Sequence, residues 1–199
     1  MNVSYRPRLA AVVAVATIAL AACGTPTPGA AAVVGDSRIS EADLTTQVQA
    51  VLAAQGKALD STDPELTSST LDRLVKAELV DLLAHEAGIT ITQGQIDAEL
   101  QAYATQAGGQ SEVERIFLEQ GIAPSQIPAV VVLNLQANAL GAALAPSADQ
   151  QAQGQALVQA ITILSQAIKT EVSPRYGTWD AASLQVGAVP DDLSVPAAP

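Results

Sequence analysis

The stretch from Leu71 to Leu100 constrains the fold of this chain more than any other part of the sequence. Its apolar residues recur at spacings of three and four, which predicts a long helix with one apolar face; they are Leu71, Leu74, Val75, Leu79, Leu82 and Leu83. Gly88 can end this helix with a positive φ. Thr92 and Gln95 have the spacing of a capping box and begin a second helix. Such a helix hairpin buries its apolar face only if flanking segments pack against it.

The composition favours packed helices and excludes several classes of function. Hydrophobic residues make up 49% of the 199 residues but aromatic residues only 3%, a balance typical of helical proteins rather than β-sandwiches. The length accommodates one domain with appendages. The formal charge of −11 argues against nucleic-acid binding, which requires clustered Lys and Arg to neutralise phosphates. A single cysteine excludes an intramolecular disulfide framework.

The N-terminal residues have the pattern of a secretory signal. Arg6 and Arg8 precede an apolar run, residues 9–22, that is shorter than the roughly 20 residues of a membrane-spanning helix. The run ends in LAACG, residues 20–24, which resembles the bacterial lipobox. This resemblance implies cleavage before Cys23, acylation of its thiol and a lipid anchor at the new amino end. The alternative is that Cys23 is a small buried residue of an ordinary signal or membrane helix.

Four segments follow from this pattern. Residues 1–22 are predicted to be a lipoprotein signal peptide, and residues 23–30 the lipidated cysteine with a flexible tether rich in Pro, Gly and Thr. Residues 31–186 are predicted to form the helical domain. Residues 187–199 are Pro-rich and acidic and are predicted to be disordered. The mature protein is expected on the extracytoplasmic face of the cell membrane, where its acidity holds it away from the anionic surface.

Capping signals mark the starts of the remaining helices. Ser40 with Asp43 is expected to cap the first helix, and Asp63 with Pro64 the second. The fourth, fifth and sixth helices are each expected to be capped by a serine, at Ser111, Ser125 and Ser147. The fifth helix, residues 128–145, is apolar on nearly all sides at its start, which predicts the centre of the bundle.

Short extended segments stand near both ends of the predicted domain. Ala31 to Ser40 has the pattern of a strand that turns and runs into the first helix. Glu171 to Asp180 contains Val, Tyr and Trp between Pro and Gly, which suits a strand or an extended edge. The two are expected to pair. The predicted fold class is therefore mainly α, with about six helices closed by a short pair of terminal strands.

The order of these motifs resembles the N-terminal chaperone domain of the SurA family, whose relatives include PrsA-type foldases and trigger factor. The resemblance rests on residues 33–40 (VVGDSRIS), on residues 84–92 at the end of the long helix, on residues 96–100 and 118–122, and on residues 172–180 (VSPRYGTWD). It implies a SurA N-terminal-type bundle that binds unfolded polypeptides.

One departure from that family concerns catalysis. Many of its members insert a parvulin prolyl isomerase domain between the bundle and the closing helix. Residues 143–150, ALAPSADQ, form only a short connection at that place. The resemblance therefore implies chaperone-like binding without the isomerase, and the chain is not expected to be an enzyme.

No catalytic residue, metal ligand or cofactor site is predicted. His85-Glu86 begins an H-E-x-x-H pattern, but position 89 is Ile, so His85 is expected to face solvent. Asp97 and Glu99 are two residues apart and do not face each other on a helix, so they are expected to be solvated.

Four aromatic residues leave two interpretations open. They either line a groove for extended clients or fill the core; they are Tyr103, Phe117, Tyr176 and Trp179. The sequence identifies no substrate-binding residue among them. Arg175 is expected to pair with a carboxylate that holds the closing strand, such as Asp36 or Asp180.

The leading functional hypothesis is an ATP-independent holdase that binds unfolded or secreted polypeptides in an apolar cradle, while the acidic exterior keeps the complex soluble. An alternative is an envelope scaffold or adaptor that binds a single folded partner. Prolyl isomerisation is the least favoured reading, and the sequence leaves the oligomeric state open.

Overall fold

The structure is a computed structural model that describes residues 28–189, and these residues form six α-helices and five short strands. The helices are α1 (Glu41–Ala54), α2 (Pro64–Glu86), α3 (Gln93–Ala107), α4 (Gln110–Glu119), α5 (Ile127–Leu144) and α6 (Gln150–Ala167). The strands are β1 (Ala30–Val34), β2 (Ser37–Ser40), β3 (Thr170–Val172), β4 (Trp179–Asp180) and β5 (Gln185–Val186). The predicted mainly α fold is confirmed. The predicted signal peptide, Cys23 and residues 190–199 of the predicted tail lie outside the described residues.

Helix α2 is the element around which the others pack. It contacts α1, α5, α6 and β1. Leu71, Val75 and Leu79 are completely buried on it, and the other leucines of the predicted stripe lie half-buried against the same core. The apolar face predicted for this helix therefore forms the main hydrophobic core.

Helix α5 flanks this core, so the prediction that it forms the centre of the bundle is wrong. Only four of its 18 residues are buried, namely Ile127, Val131, Leu140 and Gly141. With the preceding turn, Pro124–Leu144 is the one helix among the described residues that is long and apolar enough to cross a membrane. Here its apolar residues are divided among contacts with α2, α3 and α6. Because α5 packs against three different helices, it is apolar on several sides although it is not the most buried helix.

The predicted caps of the first three helices are confirmed. The Ser40 hydroxyl accepts a hydrogen bond from the Asp43 amide at 3.0 Å and completes a capping box. Asp63 caps α2 with Pro64 in its first turn. Thr92 caps α3 in a second capping box. Each cap satisfies a backbone donor that the first turn leaves unpaired.

The predicted caps of the last three helices are wrong. Helix α4 begins after Gly109 without a side-chain cap, rather than at Ser111. Ser125 lies within a short 3₁₀ turn that precedes α5. Helix α6 is capped by Asp149, whose carboxylate accepts a hydrogen bond from the Ala152 amide at 2.8 Å. Ser147 has a φ of +69°, which does not suit the extended backbone of an N-cap residue.

The two ends of the described chain meet in one antiparallel sheet, as predicted. Strand β1 is central, with β2 on one side and β3 on the other. Ala32 pairs with Val172, which joins residues from opposite ends of the domain. Ala31, Ala32 and Val34 are buried against the helices, so the sheet covers one side of the core.

The closing segment after β3 is held to two helices. Strands β4 and β5 form an antiparallel ribbon. The indole N–H of Trp179 donates to the buried Ser165 hydroxyl of α6 at 2.7 Å. The amide of Val186 donates to the Asp72 carboxylate of α2 at 3.0 Å. The ribbon thereby fixes the C-terminal side of the fold onto the central helix.

Arg175 pairs with a carboxylate, as predicted, but with neither of the two partners named for it. Its guanidinium binds both carboxylate oxygens of Glu41, in the first turn of α1, at 3.0 and 3.1 Å, and lies 5.5 Å from the Tyr176 ring centroid. Asp180 is occupied instead by the Ser183 hydroxyl and the Ala182 amide, which lower the pKa of its carboxyl. Because the Arg175 side chain is exposed, solvent screens the pair, and it adds little to the stability of the fold.

A buried amide side chain connects α1, α2 and the turn before α5. The carbonyl oxygen of Gln126 accepts from the Ala123 amide at 3.1 Å and from Arg73 at 3.2 Å, and its amide nitrogen donates to the Gln47 carbonyl at 2.8 Å. Arg73 also donates to the Gly121 carbonyl, and its burial lowers the pKa of the guanidinium. We call this arrangement the Gln126 clasp.

Gly177 is required by the packing of the closing ribbon. It has a φ of +128°, and a Cβ at this position would lie 2.1 Å from the Gly187 carbonyl oxygen. We expect Gly177→Ala to lower the free energy of unfolding by about 2–4 kcal/mol, because the backbone at Gly187, directly after β5, would have to move. Urea unfolding followed by circular dichroism measures this.

Gly94→Ala is the matched control. Gly94 lies in α3 at a negative φ with open space around its missing Cβ. This substitution is expected to raise the free energy of unfolding by about 0.5–1 kcal/mol, since alanine favours the helix. Equal unfolding midpoints for wild type and Gly177→Ala would contradict the placement of the ribbon.

Candidate functional site

A second apolar cluster lies beside the main core and is covered less completely. Its buried residues come from α4, α5 and the turn before α5; they are Val113, Ile122, Ile127 and Val131. Helix α3 contributes only half-buried residues to this cluster; they are Ile96, Leu100, Tyr103, Ala104 and Ala107. Helix α3 packs mainly against α4 and α5. Its apolar face therefore stays partly open to solvent.

An apolar cleft of about 290 Å³ opens between α3 and α4, and we call it the α3–α4 cleft. Five of its six lining residues are apolar or aromatic; the six are Tyr103, Gln106, Ala107, Val113, Ile116 and Phe117. The rings of Tyr103 and Phe117 lie 6.0 Å apart at a tilt of 36°. The volume falls at the small end of the roughly 300–1,000 Å³ range of ligand pockets, so the cleft suits individual apolar side chains.

The geometry of the cleft follows from a two-glycine turn and a short helix. Gly108 and Gly109 have φ values of +89° and +141°, which allow the chain to reverse between α3 and α4 within two residues. Helix α4 then spans only ten residues. Ile116 lines the cleft but, within the described residues, does not belong to the cluster behind it. Its side chain is available for contact with a bound molecule.

Tyr103 connects the cleft to α5 and lies near the negative charge of a carboxylate on its own helix. Its hydroxyl accepts a weak hydrogen bond from Asn134 of α5 at 3.5 Å. Glu99 lies one turn earlier on the same face of α3. Burial raises the pKa of Tyr103 and Glu99 adds to the rise, while the bond from Asn134 opposes it.

The structure divides the four aromatic residues between two places. Tyr103 and Phe117 line the cleft and also pack against the second cluster, whereas their role in binding clients stays a prediction. Tyr176 and Trp179 pack half-buried against the main core in the closing segment. The four residues therefore do not form one groove.

Three of the four charged candidates lie on the surface, as predicted, whereas Glu99 is half-buried beside Tyr103. His85 and Glu86 are exposed at the end of α2. Asp97 is exposed and accepts a hydrogen bond from Gln93 at 2.8 Å. Within residues 28–189, no group of three or more His, Cys, Asp and Glu side chains is arranged to hold a metal ion.

The comparison with protein families identifies the relationship. The family model described as the SurA-like N-terminal domain matches residues 8–124, more than half of the 199-residue chain. The chain belongs to the SurA-like N-terminal domain family. No curated protein and no solved structure matches it.

The SurA-like match contains α1 to α4 and all residues that line the cleft. It ends at the turn before α5, so α5, α6 and the closing strands lie beyond it. The resemblance of residues 172–180 to the closing segment of lipoprotein members therefore stays a prediction.

The environment of Tyr103 predicts a pH dependence. Because its folded pKa is raised above the ordinary value of 10.0, the unfolded chain releases this proton first as pH rises. The contribution of Tyr103 to stability is therefore present below pH 10 and is lost above it. Subtracting the ultraviolet phenolate titration of Tyr103→Phe from that of wild type should give a midpoint above 10. A midpoint at or below 10 would mean that the ring is solvated.

Proposed function

We propose that this SurA-like domain is an ATP-independent holdase whose α3–α4 cleft binds apolar side chains of unfolded polypeptides. The observation that carries the proposal is the apolar face of α3, which is half-covered and borders a cleft with a nearly apolar lining. Exposed apolar surface of this kind marks sites of interaction in soluble domains. Membership of a family of chaperone domains supports the same function.

The size of the cleft favours weak and reversible binding. Burying one large apolar side chain contributes about 1.5–3 kcal/mol, and part of this is lost to the entropy of association. One side chain in the cleft is therefore too little for stable capture, and a client must make further contacts along α3. Reversible binding of this kind retains an unfolded chain without trapping it. The formal charge of −11 keeps such a complex soluble.

Substitution in the cleft tests this function. Ile116→Gln removes an apolar wall of the cleft without removing a residue of the cluster behind it. We expect wild-type protein to suppress the aggregation of an unfolded client, measured by light scattering, and Ile116→Gln to need several-fold more protein for the same suppression. No suppression by excess wild-type protein would overturn the proposal.

Val158→Gln is the matched control for this experiment. Val158 lies on α6 away from the cleft and is 55% exposed, so the variant removes a comparable apolar side chain elsewhere. It should suppress aggregation as well as wild type does, and equal losses in both variants would contradict binding at the cleft. A photo-crosslinker at Gln106 should capture many unfolded clients, whereas capture of one folded partner alone would favour a scaffold.

We also propose that the mature protein is held at the extracytoplasmic face of the cell membrane by lipid on Cys23. The support is the LAACG sequence at the end of the apolar run, together with the absence of any second cysteine from the sequence. Cys23→Ser should abolish labelling by a palmitate analogue.

A second variant tests whether labelling requires the sequence around Cys23 or only the presence of a thiol. Cys23→Ser combined with Ser61→Cys restores one thiol on an exposed loop, and it should remain unlabelled. Labelling of Cys23→Ser by the palmitate analogue would contradict a lipid anchor on this thiol.

A further inference from the structure

The helices that form the α3–α4 cleft are strongly acidic. Residues 93–119 carry five acidic residues and one basic residue, a formal charge of −4; the acids are Asp97, Glu99, Glu112, Glu114 and Glu119, and the base is Arg115. The lining of the cleft is apolar, but the two helices that form it carry carboxylates. A bound segment therefore meets both kinds of group.

The acidic residues of α4 flank the cleft on both sides. A helix turns 100° per residue, so Glu114 follows Val113 on one flank and Glu112 precedes it on the other. Arg115 lies on the side of α4 that faces away from the cleft by the same geometry. On α3, Glu99 lies one turn beyond Tyr103 on the same face of the helix, next to the cleft lining. A segment that seats a side chain in the cleft and runs across α3 and α4 therefore lies close to these carboxylates.

Two of these carboxylates are not neutralised. Arg115 bonds with Glu112 and Glu119, which reduces the charge on that flank. Glu99 and Glu114 take part in no ion pair within residues 28–189, and Glu114 accepts only a neutral bond from Gln110 at 3.1 Å. The effect of Glu99 on the pKa of Tyr103 indicates that its charge reaches the cleft wall.

Resting on the proposed function, we infer that the α3–α4 cleft selects polypeptide segments in which an apolar side chain is flanked by Lys or Arg. The apolar side chain enters between Tyr103 and Ile116, and the flanking cations lie beside Glu99 and Glu114. Segments flanked by Asp or Glu are disfavoured by repulsion from the same carboxylates. The occupant is therefore a cationic, amphipathic stretch of an unfolded chain.

The expected preference is moderate and sensitive to salt. Exposed charge pairs contribute little individually, and two of them favour a Lys-flanked over a Glu-flanked segment by about tenfold at low ionic strength. The Debye length shortens from about 30 Å at 0.01 M salt to about 3 Å at 1 M. The preference is therefore expected to shrink to near unity at high salt.

Fluorescence anisotropy with two labelled peptides tests the inference. The peptides share one central apolar sequence and are flanked by Lys in one and by Glu in the other. Wild-type protein should bind the Lys-flanked peptide about tenfold more tightly at low salt. The double variant Glu99→Gln, Glu114→Gln should bring the two affinities to within about twofold of each other while the cleft still binds both peptides.

A second double variant separates a local effect from the overall acidity of the protein. Asp36→Asn, Glu86→Gln removes the same charge from exposed positions outside the cleft, and it should keep the preference of wild type. Equal loss of preference in both double variants would overturn the inference. Equal binding of both peptides by wild type would also overturn it and leave the proposed holdase standing, whereas binding of neither peptide would remove both.

Discussion

The burial of α2 is the constraint on which the rest of the structure depends. Leu71, Val75 and Leu79 reach zero exposure only because segments from both ends of the described chain, from β1 to β5, pack around this helix. No contiguous part of the sequence can cover it alone. The pairing of β1 with β3 and the bond from Val186 to Asp72 are therefore consequences of closing the core, and they couple the two ends of the domain.

This arrangement separates the part of the molecule that supplies stability from the part available for binding. Helices α3 and α4 form their own cluster with α5 and lie beside the main core. The Gln126 clasp connects the turn at the edge of this cluster to α1 and α2 through three hydrogen bonds, two donated by Arg73 and one donated by Gln126 to the Gln47 carbonyl. Because the main core closes without the apolar face of α3, that face can stay partly uncovered without exposing α2.

A feature of the structure could be predicted from the sequence when the residues that form it lie close together in the chain. The caps at Ser40, Asp63 and Thr92 could be predicted because each joins a side chain to an amide three residues away. The Arg175–Glu41 pair spans 134 residues, and the bond from Gln126 to α1 spans 79. Such partners depend on how the helices pack. In the loop before α6, backbone geometry rather than residue type determines which of several polar residues caps the helix.

The α3–α4 cleft shows more clearly what the spacing of apolar residues cannot predict. Spacing identifies Ile96, Leu100 and Tyr103 as one apolar face, but it does not say how much of that face a neighbour covers. Helix α3 has 15 residues and α4 has ten, so at about 1.5 Å per residue their lengths are about 22 and 15 Å. The shorter helix cannot cover the longer one. Gly109 and Gly121 bound α4 and so determine its short length. The candidate binding surface therefore results from the different lengths of α3 and α4, which leave part of the apolar face of α3 uncovered, and not from a residue motif.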